Sequence, residues 1–211
     1  MENINCIICN ERTANHYLSL KDRLKIDKSI FSLVKCDCGL VYLNPRPDKY
    51  EISKFYKSND YDPHTRKKSI WKIVYMQIQK FIFIWKKNII SNYSSTGNLL
   101  DIGGGNGEFA NFMYSKGWNV TVQDTIIEKY SNQNLDSFTK LNLIPDNNYF
   151  DIITMWHSLE HIHNIDDLFI NINRLLKKNG TLIIAVPNLN APEKKYYAKK
   201  WAPYDVPRHL Y

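Results

Sequence analysis

The residues with the clearest chemical potential lie in the middle of the chain, where an acid precedes three alternating glycines. Asp101 stands two residues ahead of Gly103, and Gly105 and Gly107 follow at every second position. Glycine is needed where a backbone bends sharply and approaches a ligand, because a Cβ atom would fill that space. The spacing differs from the G-x-G-x-x-G of dinucleotide-binding turns. The acid would repel a pyrophosphate, so it favours a ligand that carries an ammonium group.

A second carboxylate, Asp124, follows the glycines at the end of the next predicted strand, about twenty residues on. At that distance it would stand at the tip of the neighbouring strand and could accept both hydroxyls of a ribose. An ammonium group and a ribose together indicate S-adenosylmethionine, and Trp156, after a later strand, is assigned to the same ligand. The alternative is a glycine turn with an incidental acid.

All four cysteines of the chain lie near its start in two close pairs: Cys6 with Cys9, and Cys36 with Cys38. Two such pairs separated by a loop are a pattern with which a short chain surrounds a zinc ion with four thiolates. The second pair has only Asp37 between its cysteines, so His16 is a candidate substitute ligand. We expect a structural zinc ion that supplies folding free energy to a segment too short for a large core. Four free thiols are the alternative.

The elements that must position these residues follow an alternating pattern from residue 96 onwards. Strands are predicted at 98–102, 119–123, 138–141, 151–155 and 181–186, and helices at 107–116, 126–131 and 166–177. This alternation predicts an α/β fold with a Rossmann-like, doubly wound parallel sheet. The last helix is expected to stop at its basic residues and Gly180, because a glycine often ends a helix and lysines favour its negative end.

Ahead of the sheet, apolar residues recur at helical spacing and predict a helix over residues 67–90. The recurring residues are Ile70, Val74, Ile78, Phe81 and Trp85. We expect this helix to cover a core or a substrate cleft, in preference to lying on a membrane.

The length and the net charge of the chain limit the number of domains and the kinds of ligand that it can have. The 211 residues fit one domain with a small appendage, for which we predict a zinc-binding module over 1–48, a helical lead-in over 49–95 and a cofactor-binding core over 96–211. The net charge of +7 suits solubility, an anionic small molecule or RNA. The first residues do not form a secretory signal and no apolar run is long enough for a spanning helix, so we expect a cytoplasmic protein without a membrane partner.

The chain resembles class I S-adenosylmethionine-dependent methyltransferases, and within them the group with a zinc-binding N-terminal segment that includes sugar C-methyltransferases of deoxysugar pathways. The resemblance rests on four stretches that together span nearly the whole chain: 36–47, 101–107, 150–161 and 201–211. It implies methyl transfer to a small molecule, with a nucleotide-linked sugar as first choice, by C- or O-methylation. The family's sheet has seven strands, so this chain would lack the last two, and a second copy or a C-terminal segment would cover the exposed edge.

The resemblance also assigns candidate catalytic residues. Histidines at positions like His161 and His209 line the acceptor site in the sugar methyltransferases, and Tyr211 is a weaker candidate. If the acceptor must lose a proton during methyl transfer, histidine is a natural base for it near neutral pH. Some relatives have a glutamate where this chain has Arg208, which leaves O- or N-methylation open. Structural histidines are the alternative, and His157 is a rival base.

Two other functions are compatible with the sequence. Some ribosomal RNA methyltransferases also join a zinc module to this fold, so RNA is a second, less favoured substrate, and steep salt dependence of RNA affinity would indicate it. A cofactor-binding relative without catalytic activity is the third.

Overall fold

The computed structural model of the chain describes residues 1–56, 70–125, 135–145 and 147–211, without the side chains of 70–73. The chain forms two compact units. Unit 1 consists of Met1–Thr65, Glu160–Ile165 and Pro187–Tyr211, and unit 2 of Arg66–Leu159 and Asp166–Val186. The division differs from the predicted domains 1–48, 49–95 and 96–211, because the last residues of the chain group with the cysteine-bearing segment. The helix predicted at 126–131 lies outside the described residues.

Unit 1 is built on a three-stranded antiparallel sheet. Its strands are β1 (Asn15–Lys21), β2 (Ile30–Lys35) and β3 (Val41–Leu43), in that order across the sheet. Phe31 and Leu33 of β2 are buried with Val206 and Leu210 from the end of the chain. The main chain joins the same two segments, since the Leu43 N–H donates to the Leu210 carbonyl at 2.9 Å. The C-terminal segment is therefore part of the core of this unit.

Unit 2 contains a five-stranded parallel sheet in the order β6-β5-β4-β7-β8. In chain order its elements are α1 (Ile70–Ser91), β4 (Asn98–Ile102), α2 (Glu108–Tyr114), β5 (Asn119–Gln123), β6 (Asp136–Phe138), β7 (Phe150–Trp156), α3 (Ile165–Leu175) and β8 (Leu176–Ala185). Strand order reverses at β4, as in a doubly wound sheet. The predicted fold class is confirmed, with helices flanking a central parallel sheet.

The core of unit 2 lies between the sheet and two of its helices. Leu99, Val120 and Ile152 of neighbouring strands are buried together with Met113 of α2 and Ile90 of α1. These residues come from apolar strands that are buried along most of their length, as a parallel sheet covered by helices requires. The packing fixes the carboxyl ends of β4, β5 and β7 beside one another.

Two predicted boundaries near the edges of the sheet are wrong. Helix α3 ends at Leu175 and not at Lys177, and Gly180 lies within β8 and does not end a helix. The register of β8 shifts between its pairing with Phe150 and its pairing with Ile152, which accommodates these extra residues. Lys177 is held there by an ion pair with Asp151 at 2.7 Å. Strand β6 covers 136–138, while the predicted strand at 138–141 runs into a 3-10 turn.

Helix α1 presents the opposite face from the one expected. The predicted stripe was to cover a core, but Val74, Ile78, Phe81 and Trp85 are exposed. Ile90 is buried and Phe83 packs against the core. Because the helix is apolar on nearly all sides, the periodicity of its sequence does not determine which face packs.

In the described residues, no helix combines the length and the apolar character needed to cross a membrane. The last helix, α4 (Glu193–Tyr197), belongs to unit 1.

Candidate functional site

The glycine turn follows β4 and uses the left-handed backbone that glycine permits. Gly103 and Gly105 have φ angles of 72° and 54°, and Gly107, at 69°, precedes the first residue of α2. A Cβ on Gly103 would lie 2.4 Å from the Cβ of Ser158, so a larger residue is excluded there. A Cβ on Gly105 would meet no atom within 4 Å. The turn therefore packs closely against Ser158 at Gly103 and leaves open space at Gly105, where a ligand could approach the backbone.

Asp124 lies directly beside this turn. The Gly105 N–H donates to its Oδ2 at 2.9 Å, and Asp124 is half-buried after the end of β5. The carboxylate expected from the sequence spacing and the glycine turn are therefore in hydrogen-bond contact. This arrangement positions a hydrogen-bond acceptor at the rim of the open side of the turn.

Asp101 lies beneath the turn and is only 3% exposed. The Thr154 hydroxyl donates to its Oδ1 at 2.7 Å. Burial raises the pKa of Asp101 to about 6, while the bond from Thr154 and the charge of Lys86 oppose that increase. A cationic ligand on the turn would favour the ionised carboxylate, so Asp101 can supply attraction without touching solvent.

Sequence reasoning missed Lys86, which approaches the same region from α1. Its Nζ lies 4.8 Å from the ring centroid of Trp156 and 5.0 Å from that of Phe109. Burial lowers the pKa of Lys86, and the charge of Asp101 opposes the change. Lys86 occurs within a helix whose apolar pattern carries no sign of a site, so spacing could not have revealed it.

The residues around the turn fit S-adenosylmethionine. The open space beside Gly105 can take a ligand, Asp124 offers a carboxylate for ribose hydroxyls, and Asp101 offers negative charge. The indole Nε1 of Trp156 is buried and has no hydrogen-bond partner in the part of the chain that the structure describes. A bound ligand with an acceptor group would satisfy such a donor.

Affinity for S-adenosylmethionine is expected to fall as the pH drops below about 6. The cation favours ionised Asp101, so protonation of this carboxyl must be reversed on binding, at a cost of up to about tenfold in affinity per pH unit. Calorimetric titration at pH 5 to 8 would measure the slope. Asp101→Asn keeps an acceptor for Thr154 and should give weak but pH-independent binding. An equal slope in the variant would contradict the role of Asp101.

The four cysteines of unit 1 come together as the sequence predicts. The Sγ atoms of Cys6 and Cys38 are 3.5 Å apart, those of Cys9 and Cys36 are 3.4 Å apart, and all four lie within 4.8 Å of one another. Thiolates about 2.3 Å from a tetrahedral zinc ion would be about 3.8 Å apart, so the cluster fits zinc. His16 bonds to Ser19 through its Nε2 at 2.8 Å and lies outside this group.

The short spacing of the second pair is accommodated by the turn that follows it. Gly39 has a φ of 97°, and its N–H donates to the Cys36 carbonyl at 2.9 Å. In the first pair, Asn10 has a φ of 58° and donates to the Cys6 carbonyl at 2.8 Å. Both pairs thus end in a left-handed residue that turns the backbone around the sulfur atoms.

His161 and His209 also meet in unit 1, although many residues separate them in the chain. Their ring centroids are 4.7 Å apart, and their ring planes are nearly perpendicular. The Nδ1–H of His209 donates to the Pro203 carbonyl at 2.8 Å. His161 Nδ1 lies 3.0 Å from the Arg208 carbonyl. Donation from Nδ1 fixes the tautomer in which Nε2 accepts a proton.

The electrostatic surroundings keep His209 neutral near pH 7. Burial lowers the pKa of His209, and the neighbouring His161 lowers it further, while Glu160 and Asp205 oppose the shift. A carboxylate oxygen of the buried Glu160 lies within 4.8 Å of a ring nitrogen of His161 and of a ring nitrogen of His209. The pair therefore combines an unprotonated base with a nearby negative charge that would stabilise the protonated form.

Arg208, the departure from the family pattern, anchors the histidine-bearing segment. Its side chain is fully buried and donates to Asp22 Oδ1 at 2.9 Å and to both carboxylate oxygens of Asp205 at 2.6 and 2.8 Å. It also donates to the Phe55 carbonyl at 3.2 Å. Because an unpaired charge in the protein interior costs free energy, a buried arginine keeps its carboxylate partners and so holds its own backbone segment in place. Arg208 thus orients the neighbouring His209 without being a base itself.

The other two candidate residues, Tyr211 and His157, lie in different surroundings from the histidine pair. The Tyr211 hydroxyl accepts from Arg46 Nη1 at 2.7 Å and donates to the His163 carbonyl at 3.4 Å. His157 is exposed, with a φ of 57°. Tyr56, which sequence reasoning did not select, has its hydroxyl 3.0 Å from His161 Nδ1. An aromatic loop without distinctive spacing carried no signal for it.

The parallel sheet, the glycine turn and its two carboxylates define a class I S-adenosylmethionine-dependent methyltransferase domain. A family model described as a methyltransferase domain matches residues 78–211. The chain therefore belongs to the methyltransferase domain family.

Similar proteins carry related names. The ubiquinone biosynthesis O-methyltransferase of Rickettsia canadensis is 27% identical over 122 residues, which cover 52% of this chain and 51% of that protein. The protein of the same name from Pelagibacter ubique is 28% identical over 184 residues, 74% of each. The chain spans about half the length of the Rickettsia canadensis relative. A solved S-adenosylmethionine-dependent methyltransferase from Archaeoglobus fulgidus aligns with a TM-score of 0.50 at 18% identity, over 68% of this chain and 67% of that one, and supports the fold alone.

Proposed function

We propose that this protein transfers a methyl group from S-adenosylmethionine to a small-molecule acceptor. The observation that carries the proposal is the open glycine turn in contact with Asp124 and above the buried Asp101. Membership of the methyltransferase domain family supports the same activity. Cysteine geometry supports a structural zinc ion, held by Cys6, Cys9, Cys36 and Cys38.

Within this proposal, unit 2 binds the methyl donor. The turn of Gly103, Gly105 and Gly107 would approach the methionine end of the donor. Asp124 would accept hydrogen bonds from the ribose hydroxyls, and the buried indole N–H of Trp156 would donate one to the donor. When bound, the donor would supply an electrophilic methyl group on a sulfonium: the acceptor's nucleophile would bond to this methyl carbon as the carbon–sulfur bond breaks, and S-adenosylhomocysteine would leave as the thioether. The protein's own task is to align the acceptor and to remove its proton.

His209 is the proposed base, with His161 beside it. The bond from its Nδ1–H to the Pro203 carbonyl leaves Nε2 to accept the acceptor's proton. Glu160 would then stabilise the imidazolium that forms. Tyr211 remains a weaker proposal, since its hydroxyl already bonds to Arg46 and the His163 carbonyl.

The proposed acceptor is a molecule whose nucleophile must lose a proton, with a nucleotide-linked sugar as first choice. The resemblance of the cysteine segment and the C-terminal stretch to sugar methyltransferases supports this class, and the net charge of +7 suits an anionic molecule. The names of the curated relatives favour a hydroxyl-bearing precursor of ubiquinone instead. Both acceptors would permit O-methylation, which needs a base but no glutamate at the position of Arg208.

Activity of the variant His209→Asn tests the proposal directly. We expect turnover with a panel of nucleotide-linked sugars and hydroxylated ubiquinone precursors to fall about a hundred- to a thousandfold, with donor affinity unchanged, because only the proton acceptor is lost. Transfer of a radiolabelled methyl group would be measured at several pH values. The matched control is His157→Ala, at the exposed rival. A larger loss in the control than in His209→Asn would overturn the assignment.

Association of two copies through the sheet remains a further proposal. Strand β8 ends the described sheet on one side, and an edge strand offers unpaired backbone groups to another chain. Either a second copy or a further segment of chain would satisfy them.

A further inference from the structure

Helix α1 carries a broad apolar face that is exposed in the described part of the structure. The exposed residues on this face are Val74, Tyr75, Ile78, Phe81, Ile82, Ile84 and Trp85. Phe81 is 71% exposed and Ile78 is 55% exposed. Scattered apolar residues on a surface are ordinary, whereas a contiguous apolar patch of this kind marks an interaction site.

The width of the face distinguishes between possible occupants. At about 100° per residue, the seven side chains span roughly half of the helix circumference. A two-helix seam is narrower and is flanked by charged residues that select the partner. Here the flanking residues Tyr75, Ile82 and Ile84 are themselves apolar. The face is therefore broader than a helix pairing with its own copy needs.

The charges of α1 all have one sign. Between Ile70 and Ser91 the charged residues are Lys72, Lys80, Lys86 and Lys87, and the segment has no aspartate or glutamate. Lys80 is exposed, while Lys86 lies near Asp101. A basic helix with an aromatic-rich apolar face is complementary to a bilayer that presents anionic headgroups above an apolar interior.

We propose that α1 is an interfacial helix, which lies flat on an anionic phospholipid bilayer with its apolar face inserted. Its 22 residues would extend about 33 Å along the surface. Lys80 beside the face would contact lipid phosphates, and Phe81 would enter the headgroup boundary. This proposal differs from the expectation of no membrane partner, and it does not depend on the proposed methyl transfer.

Flotation with vesicles of phosphatidylcholine and phosphatidylglycerol tests the proposal on the full chain. We expect binding to vesicles with phosphatidylglycerol and not to phosphatidylcholine alone, with loss at high salt. The double variant Ile78→Glu, Phe81→Glu should bind at least tenfold more weakly, because it removes apolar contact and adds repulsion. Lys80→Gln should weaken binding about fivefold.

The control variant carries the same kind of change at other exposed apolar residues, Ile170→Glu and Tyr196→Glu. It should bind vesicles within twofold of the original chain. Circular dichroism of each variant would establish that it is folded. Absence of binding to anionic vesicles would overturn the proposal, as would an equal loss in the control. A dimer in light scattering that the Ile78→Glu, Phe81→Glu variant dissociates, without vesicle binding by the original chain, would assign the face to a second copy.

Discussion

Replacing Asp124 with alanine is expected to weaken binding of S-adenosylhomocysteine about a hundredfold. Two hydrogen bonds from ribose hydroxyls to a carboxylate contribute about 1.5 kcal/mol or more each, and tenfold in affinity corresponds to about 1.4 kcal/mol. The change also removes the acceptor of the Gly105 N–H, so the turn itself loses a contact. Isothermal calorimetry with the folded protein would measure the loss.

Two further variants separate the contributions of Asp124. Asp124→Asn keeps one acceptor for the ribose and should lose less affinity than the alanine variant. Asp136→Ala removes an exposed carboxylate from β6 of the same sheet and should bind like the original chain. Unchanged affinity in Asp124→Ala would contradict the proposed ribose contact, and a loss equal to it in Asp136→Ala would indicate a nonspecific effect of charge.

The parts of the site that are encoded locally could be predicted from the sequence. Strands β4 and β5 have the predicted bounds, because short apolar runs between turn residues define buried strands. Asp101, the glycines and Asp124 follow from a fixed spacing around these strands, so their proximity is inherent in the fold. The cysteine pairs carry a similar local signal, and their Sγ atoms meet as expected.

The rest depends on contacts between distant segments. His161 and His209 pair only because Arg208 and its carboxylate partners fix the end of the chain within unit 1. The resemblance suggested both histidines, but no spacing predicts their contact. Lys86 approaches Asp101 only because α1 packs with Ile90 towards the core. The apolar pattern of that helix allowed either face to pack, and the predicted stripe faces outward.

The expected effect of replacing Cys36 with serine is loss of the proposed zinc ion and unfolding of unit 1. Cys36 is buried beside Tyr42, and a structural zinc site contributes on the order of 10 kcal/mol to the folding of a small module. Zinc content should fall from about one ion per chain to almost none. Elemental analysis of the purified protein and a thermal melt followed by circular dichroism would measure both changes.

The same substitution should remove methyl transfer more completely than donor binding. Val206 and Leu210 flank the histidine-bearing segment and pack with β2, so unfolding of this sheet would release His209 from Pro203. The residues proposed to bind the donor all belong to unit 2. His16→Ala is the matched control, because His16 bonds to Ser19 outside the cysteine cluster and should leave zinc content unchanged. A metal-free chain that melts at the same temperature and keeps its turnover would refute the proposed structural zinc site.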